Sequence, residues 1–278
     1  MHMKRLAAIS LLLTSTVANA IVVRHDVPDS AYLVHDGALQ ALVDLPHEGH
    51  GVLVGPQWVL TAAHSTQWHP ITEVMLNGEC LKVERVFLHP GYKQLPEGLA
   101  AQDPEGAIRF LAGLDDVALI QLAQPVTGVE PIALYRGKAE LGKTVVLFGK
   151  GATGNGEKGQ ISGANRTELR SAENIITAVE ERALVYTFDS GDAALPLEGM
   201  LGNGDSGGPV LFEHDGRWEL LGLARGRLSP SPPGFYGQEA HQVRVSYYLP
   251  WIDAIHERRF RVVRPNNSFK PTPLRGAA

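Results

Sequence analysis

At 278 residues, with 44 % of them hydrophobic, the chain is long enough to bury a sizeable core. A formal net charge of −5 with no long basic cluster gives no footing for nucleic acid as a partner. The 30 Gly and 18 Pro spread along it suit many short strands joined by turns.

The chain opens on a basic stretch, Met1–Arg5, then the apolar Leu6–Val17, then Ala18-Asn19-Ala20, with small residues where a signal peptidase reads. Residues 1–20 are therefore expected to be an export signal, and cleavage after Ala20 leaves Ile21-Val22 as the new terminus of a secreted or periplasmic protein. No later stretch is long enough to span a bilayer. Short, β-branched, turn-bounded runs then predict strands at Gly51–Val54, Trp58–Thr61, Val83–Leu88, Val117–Leu122, Thr144–Phe148, Leu184–Phe188, Pro209–Phe212, Trp218–Ala224 and Val243–Val245. This pattern reads as an all-β protein of two barrels.

Three places along these strands carry chemistry. Val59-Leu60-Thr61-Ala62-Ala63-His64 runs an apolar strand into two small residues and an imidazole, as expected for a base at a strand end. Asp116 stands just before the apolar run Val117–Leu122, where a charge is disfavoured without a partner. Gly202-Asn203-Gly204-Asp205-Ser206-Gly207-Gly208 sets one serine among glycines, a path that can aim the N–H groups of Gly204 and Ser206 at a single developing oxyanion. Each alone has a plainer structural reading: a surface histidine, a turn aspartate, a Gly-rich turn.

Two other motifs compete. Gly204 to Gly208 also satisfies G-x-S-x-G, the nucleophile elbow of α/β-hydrolase esterases, which requires a helix directly after the serine; Pro209 and the strand-like Val210–Phe212 speak against one. Gly149-Lys150-Gly151-Ala152-Thr153-Gly154 matches a dinucleotide fingerprint, yet it is followed by Asn155–Gly159, which reads as a surface loop without the needed helix. Asp103, Glu105, Asp189 and Asp192 lack dense oxygen-ligand spacing, so neither a metal nor another cofactor is expected.

Taken together, TAAH, DDVALIQL and GNGDSGGPV, in the order His, Asp, Ser, resemble the trypsin/chymotrypsin family of serine peptidases. The resemblance implies a fold of two six-stranded antiparallel β-barrels of the chymotrypsin type with a short C-terminal helix. It places a peptidase domain over 21–260, with barrels at roughly 21–130 and 140–248 and the helix at roughly 249–259; residues 261–278, polar and Pro-containing, read as a disordered tail. It implies a monomeric endopeptidase acting on protein or peptide substrates, with His64, Asp116 and Ser206 catalytic and Gly204 and Ser206 forming the oxyanion hole. It pairs the Ile21 ammonium with Asp205 on activation, although Val23-Arg24 replaces the family's usual two glycines. The floor of the primary pocket falls on Met200, beside Leu201, with Gly234 leaving one wall open and Arg225, Gly226 and Arg227 on the opposite wall; an apolar preference follows. Arg225 falls near a serine that ordinarily supports the catalytic Asp. The family's animal members carry a disulfide after the catalytic histidine; here Ser65 stands at one half and His50 at the place of its partner, as in a disulfide-free, bacterial-type member. The lone Cys80 is expected to be buried. A catalytically silent binding protein on the same scaffold is the alternative from another class.

Overall fold

The computed structural model describes residues 21–35, 37–161, 168–229 and 231–262, with side chains up to 256. The expected export signal and residues 263–278 of the expected tail lie outside the described residues.

The chain begins with β1 (Ile21–Val23). Six strands follow: β2 (Leu42–Asp44), β3 (His50–Gly55), β4 (Trp58–Thr61), β5 (Glu73–Leu76), β6 (Glu79–Leu88) and β7 (Ala118–Leu122). They close into an antiparallel barrel in the order β2-β3-β4-β7-β6-β5. Between β6 and β7 lie two short helices that strand patterning alone does not suggest, α1 (Leu99–Gln102) and α2 (Pro104–Ala112). Asp103 caps α2 by accepting the Gly106 N–H at 2.8 Å, and Pro104 sits in its first turn, where its missing N–H costs no helical bond.

The second half supplies β8 (Ala133–Leu134), β9 (Thr144–Gly149), β10 (Thr153–Asn155), β11 (Gly159–Ile161), β12 (Arg170–Val179), β13 (Ala183–Thr187), β14 (Gly199–Met200), β15 (Pro209–His214), β16 (Arg217–Gly226) and β17 (Glu239–Arg244). Pairing runs β15-β9-β12-β13-β17-β16 and returns to β15, a second closed six-stranded barrel, with β8 added parallel to β16. The described residues end in α3 (Val245–Val262), which starts earlier and runs later than the expected 249–259 and so includes the first residues assigned to a tail. Two antiparallel six-stranded barrels with a C-terminal helix are thus the fold, as the sequence led one to expect.

β1 departs from its expected place in the first barrel. It pairs parallel with β10 (Val22 with Gly154) and antiparallel with β14 (Val22 with Met200), so the N-terminal segment is built onto the second half. After the Gly149–Gly154 motif, the expected loop Asn155–Gly159 is the turn of a hairpin between β10 and β11, and among the described residues no helix opens directly after it.

Period-two alternation explains why so many strands are buried on both faces. On β4, Val59 points into the first barrel's interior, whereas Trp58 and Leu60 join the apolar layer between the barrels; on β7, Ile120 and Leu119 divide the same way. That layer also takes Phe148 and Leu211 from the second barrel and Tyr248 and Ile252 from α3, one helical turn apart. Burying a side chain such as Leu60 stabilises by roughly 1.5–3 kcal/mol, so the inter-barrel layer holds the two halves, and the cleft at its edge, in one geometry.

Candidate functional site

The register of β4 against β7 brings the first two residues together. Thr61 pairs with Ala118, so the residues just past β4 and just before β7 leave the same end of the ladder side by side. Ala62 and Ala63 are fully buried and small, and the chain then turns through a 3-10 segment, His64–Thr66. Asp116 grips His64 twice: its Oδ1 accepts the His64 backbone N–H at 2.8 Å and its Oδ2 lies 2.7 Å from the imidazole Nδ1. With a carboxylate on Nδ1, the proton of the neutral ring is assigned to Nδ1 and Nε2 is the basic nitrogen.

The Asp116 side chain is 6 % exposed and that of His64 26 %. Burial would raise the Asp116 carboxyl, but the His64 charge and hydrogen bonds outweigh it and hold the group below its ordinary value. For His64, burial would lower the pKa; the charge and hydrogen bond of Asp116 more than offset this, and the ring sits above its ordinary value. Arg225 lowers both groups, adding to His64 in favouring the Asp116 carboxylate and opposing Asp116 by disfavouring the His64 imidazolium.

Ser206 arrives from the second half, on the loop between β14 and β15. Its carbonyl accepts the His50 N–H at 2.7 Å, and the Gly204 carbonyl accepts the Gly49 N–H at 3.2 Å, so the serine loop is tied to the start of β3 in the first barrel. Gly207 makes this approach possible. Its φ is +75°, and a Cβ there would collide with Thr61 Oγ1 and the His50 carbonyl. Within 202–208, the N–H groups of Gly202, Asn203, Asp205, Gly207 and Gly208 all donate within the protein: to Asp205, Gln160, Gly202, Ala224 and Asp205 respectively. Those of Gly204 and Ser206 have no acceptor among the described residues, and Gly204 holds a left-handed φ of +88°.

Asp205 points the other way, into the protein, and is fully buried. Its Oδ1 accepts the Gly151 N–H at 2.7 Å and its Oδ2 the Gly202 N–H at 2.8 Å. Gly149 and Gly151 leave room for it, since a Cβ on either would strike its carboxylate. His50 Nε2 stands 3.9 Å from Oδ1 and lies within 3.3 Å of the Lys150 N–H, while its Nδ1 is 3.0 Å from Asp44. Ile21 is fully buried in β1, and its nitrogen is here an amide joined to Ala20. Its φ of +62° is unusual for a β-branched residue.

The six residues expected to shape one substrate pocket divide into two groups. Arg225, Gly226 and Arg227 line a cavity of about 430 Å³ beside His64, whose other walls include Trp68, Tyr92, Leu95, Leu111 and Leu114. The Trp68 ring meets His64 edge-on, with centroids 5.8 Å apart. Met200 is instead fully buried in the core and paired to Val22; the Leu201 N–H donates to Tyr186 Oη at 3.1 Å; Gly234 is pressed against Gln160 and Gly159. Arg225 Nε stands 4.0 Å from Asp116 Oδ2, with both side chains nearly buried, and its Nη2 donates to the Leu111 carbonyl at the end of α2. Arg227 Nη2 donates to the Ser231 carbonyl at 2.6 Å, and its buried Nη1 has no partner among the described residues.

Two expectations about cysteine positions need correction. Gly49, and not His50, faces Ser65: a Cβ on Gly49 would lie 3.3 Å from Ser65 Cβ, close to the span of a disulfide, whereas the His50 ring turns to Asp44. Cys80 is exposed, because it pairs with Met75 on a hairpin whose outer face meets solvent. Sequence reasoning also missed the α2 wall and Glu198. That carboxyl is buried and accepts the Asp189 and Leu195 N–H groups at 3.2 and 3.0 Å; burial pushes its pKa up to about 7.

Comparison with known proteins matches residues 32–252 to the family described as Trypsin. Similar proteins include a "calcium-dependent serine proteinase" of Mesocricetus auratus, 28 % identical over 251 residues, covering 77 % of this chain and 32 % of that protein. Another is the complement C1s subcomponent of Sus scrofa, 28 % identical over 247 residues with the same coverage of 77 % and 32 %. The chain spans about a third of the length of these relatives.

Proposed function

The chain belongs to the trypsin family, and from that premise we propose that it is an exported serine endopeptidase working through His64, Asp116 and Ser206. The observation that carries this is the double grip of Asp116 on His64, at 2.8 and 2.7 Å, which orients the imidazole and leaves Nε2 as the base. His64 takes the proton of Ser206 as the hydroxyl attacks a peptide carbonyl. The Gly204 and Ser206 N–H groups, which have no acceptor among the described residues, receive the oxyanion. His64 then protonates the leaving amine, and water repeats the sequence to release the acyl group and restore the serine. No metal or organic cofactor takes part in this scheme.

Activation follows from where the export signal ends. Cleavage after Ala20 converts the buried nitrogen of Ile21 into an ammonium. Pairing of that ammonium with Asp205 orders the loop that carries Gly204 and Ser206. The substrate is a protein or peptide with apolar residues at the cleaved position, in keeping with the Trp68, Leu111 and Leu114 walls beside His64.

The test is turnover by the purified protein beginning at Ile21 on a peptide library, with Ser206→Ala as control. Cleavage abolished by that substitution supports the reading. The second reading, a catalytically silent binding protein, has one observation in its favour: the buried Arg225 beside Asp116, which weakens the carboxylate's support of an imidazolium. Tight peptide binding without turnover would select it.

A further inference from the structure

By the resemblance, Arg225 falls near the position of a serine that ordinarily supports the catalytic Asp, and it brings a permanent cation to that neighbourhood. The side chain is 7 % exposed. It bridges two structures: Nη2 donates to the Leu111 carbonyl and lies 3.5 Å from that of Leu114, while Nε faces Asp116 Oδ2 at 4.0 Å. Leu111 and Leu114 belong to the last turn of α2 and the residues after it, where the helix dipole is negative; the Leu111 carbonyl also accepts the Leu114 N–H at 3.2 Å. One guanidinium thus adds a charged donor at the end of α2 and sits against the same carboxylate oxygen that holds His64.

We propose that Arg225 is a positioning residue with two effects: it partly neutralises Asp116, so that His64 becomes available as a base at lower pH, and it fixes the α2 wall of the adjacent cavity to the catalytic edge. The proposal rests on the reading of His64 as the base. Its electrostatic sense follows from the groups in place. The charged groups acting on His64 are Asp116 before β7, Glu48 between β2 and β3, and Arg225 on β16. Both carboxylates hold a proton on the ring; burial opposes them most, and of the charged groups Arg225 opposes them too. Tyr92 faces Asp116 and is neutral, with its pKa pushed up to about 12 mainly by burial. Around Arg225 itself, His241 on β17 is held below its ordinary value mainly by burial, and the Tyr248 hydroxyl on α3 is pushed up, mainly by burial, so both stand neutral and leave Asp116 as the anion closest to hand. Because Asp116 and Arg225 are nearly buried, salt screens this arrangement little.

The experiment compares wild type, Arg225→Gln and Arg225→Lys by two readouts. One is the acid limb of the kcat/KM profile; the other is the His64 imidazole titration by NMR in the Ser206→Ala background, which needs no turnover. Gln keeps a donor for Leu111 and removes the charge, so both readouts should move up by about one pH unit. Lys keeps the charge but withdraws it from Asp116, so the shift should be smaller and in the same direction. An unmoved imidazole titration in folded Arg225→Gln overturns the proposal; if that variant does not fold, an unmoved titration in Arg225→Lys does so. Should wild type show no turnover while the titration still moves, the peptidase reading falls and the electrostatic role of Arg225 stands.

Discussion

Asp116 and His64 are joined by two hydrogen bonds, one to the backbone N–H at 2.8 Å and one to the ring Nδ1 at 2.7 Å, and the two together fix both the position and the tautomer of the imidazole. Asp116→Asn keeps the shape but offers an amide N–H where the ring also presents one, which favours the wrong tautomer. Turnover should fall about 10⁴-fold with the fold unchanged, as in the corresponding aspartate substitution of the serine-protease template. A fall of only a few fold, with circular dichroism matching wild type, would sink the assignment of Asp116.

The same pair sets the pH dependence. His64 lies above its ordinary value, so the stabilisation of the charged ring by Asp116 is present below the unfolded value near 6.5 and is lost as pH rises through the higher folded value. Activity runs the opposite way, since the base must be neutral. The kcat/KM profile should rise through an apparent pKa above 6.5, and Asp116→Asn should move that limb down. A limb that stays in place in the Asn variant would count against the coupling.

Ser206→Ala and His64→Ala should each lower kcat by on the order of 10⁶, with little further loss in the double variant, because a triad acts as a unit. An organophosphonate should label Ser206 and no other residue, read by peptide mass spectrometry. Full activity in either alanine variant would remove the proposed mechanism.

A form that retains Met1–Ala20 should be folded and weakly active, and Asp205→Asn in the form beginning at Ile21 should weaken activity in the same way. Losing one partner of a buried ion pair costs about 3–5 kcal/mol, so a parallel loss of thermal stability is expected for Asp205→Asn. N-terminal sequencing of active, secreted protein provides the check: a start anywhere but Ile21 contradicts this activation route.

Glu198 makes a prediction that does not depend on catalysis. Its folded pKa is raised to about 7 from an ordinary 4.5. Between those values the folded protein keeps a proton that the unfolded chain has released, so stability should fall as pH rises through the window, by on the order of 3 kcal/mol. Glu198→Gln removes the titration and should flatten the slope of Tm between pH 4.5 and 7, even though the amide's N–H₂ faces one of the two N–H donors and lowers stability throughout. An equal slope in wild type and variant would rule the group out as its source.

Strands that face an apolar layer on alternate or both sides announced themselves. Trp58–Thr61 was read at its observed bounds, and β7, β9 and β15 to within a residue or two at one end. The ten-residue β12 was not, because three of its inward positions are occupied by Arg170, Ala172 and Asn174, and polar or small residues interrupt the apolar alternation. The polar ones are tolerated there only through partners: Asp29 for Arg170 and the Gly199 carbonyl for Asn174. β1, expected in the first barrel, lies on the second half instead, since its partners β10 and β14 lie far along the chain and its three residues carry no mark of them.

The local, chemically distinctive pieces are legible in the residues alone: the two-barrel strand pattern, the histidine after two alanines, the aspartate before an apolar strand, and a serine among glycines. Each is written in residues that touch one another along the chain. The tertiary structure decided which distant groups meet: that Gly49 rather than His50 faces Ser65, that Met200 lies in the core while Arg225 and Arg227 line the cavity by His64, and that a buried guanidinium stands 4.0 Å from Asp116. Such meetings depend on strand register and on the length and course of the segment between β6 and β7. A shift of one residue along a strand turns a side chain to the opposite face, so no local pattern can specify them.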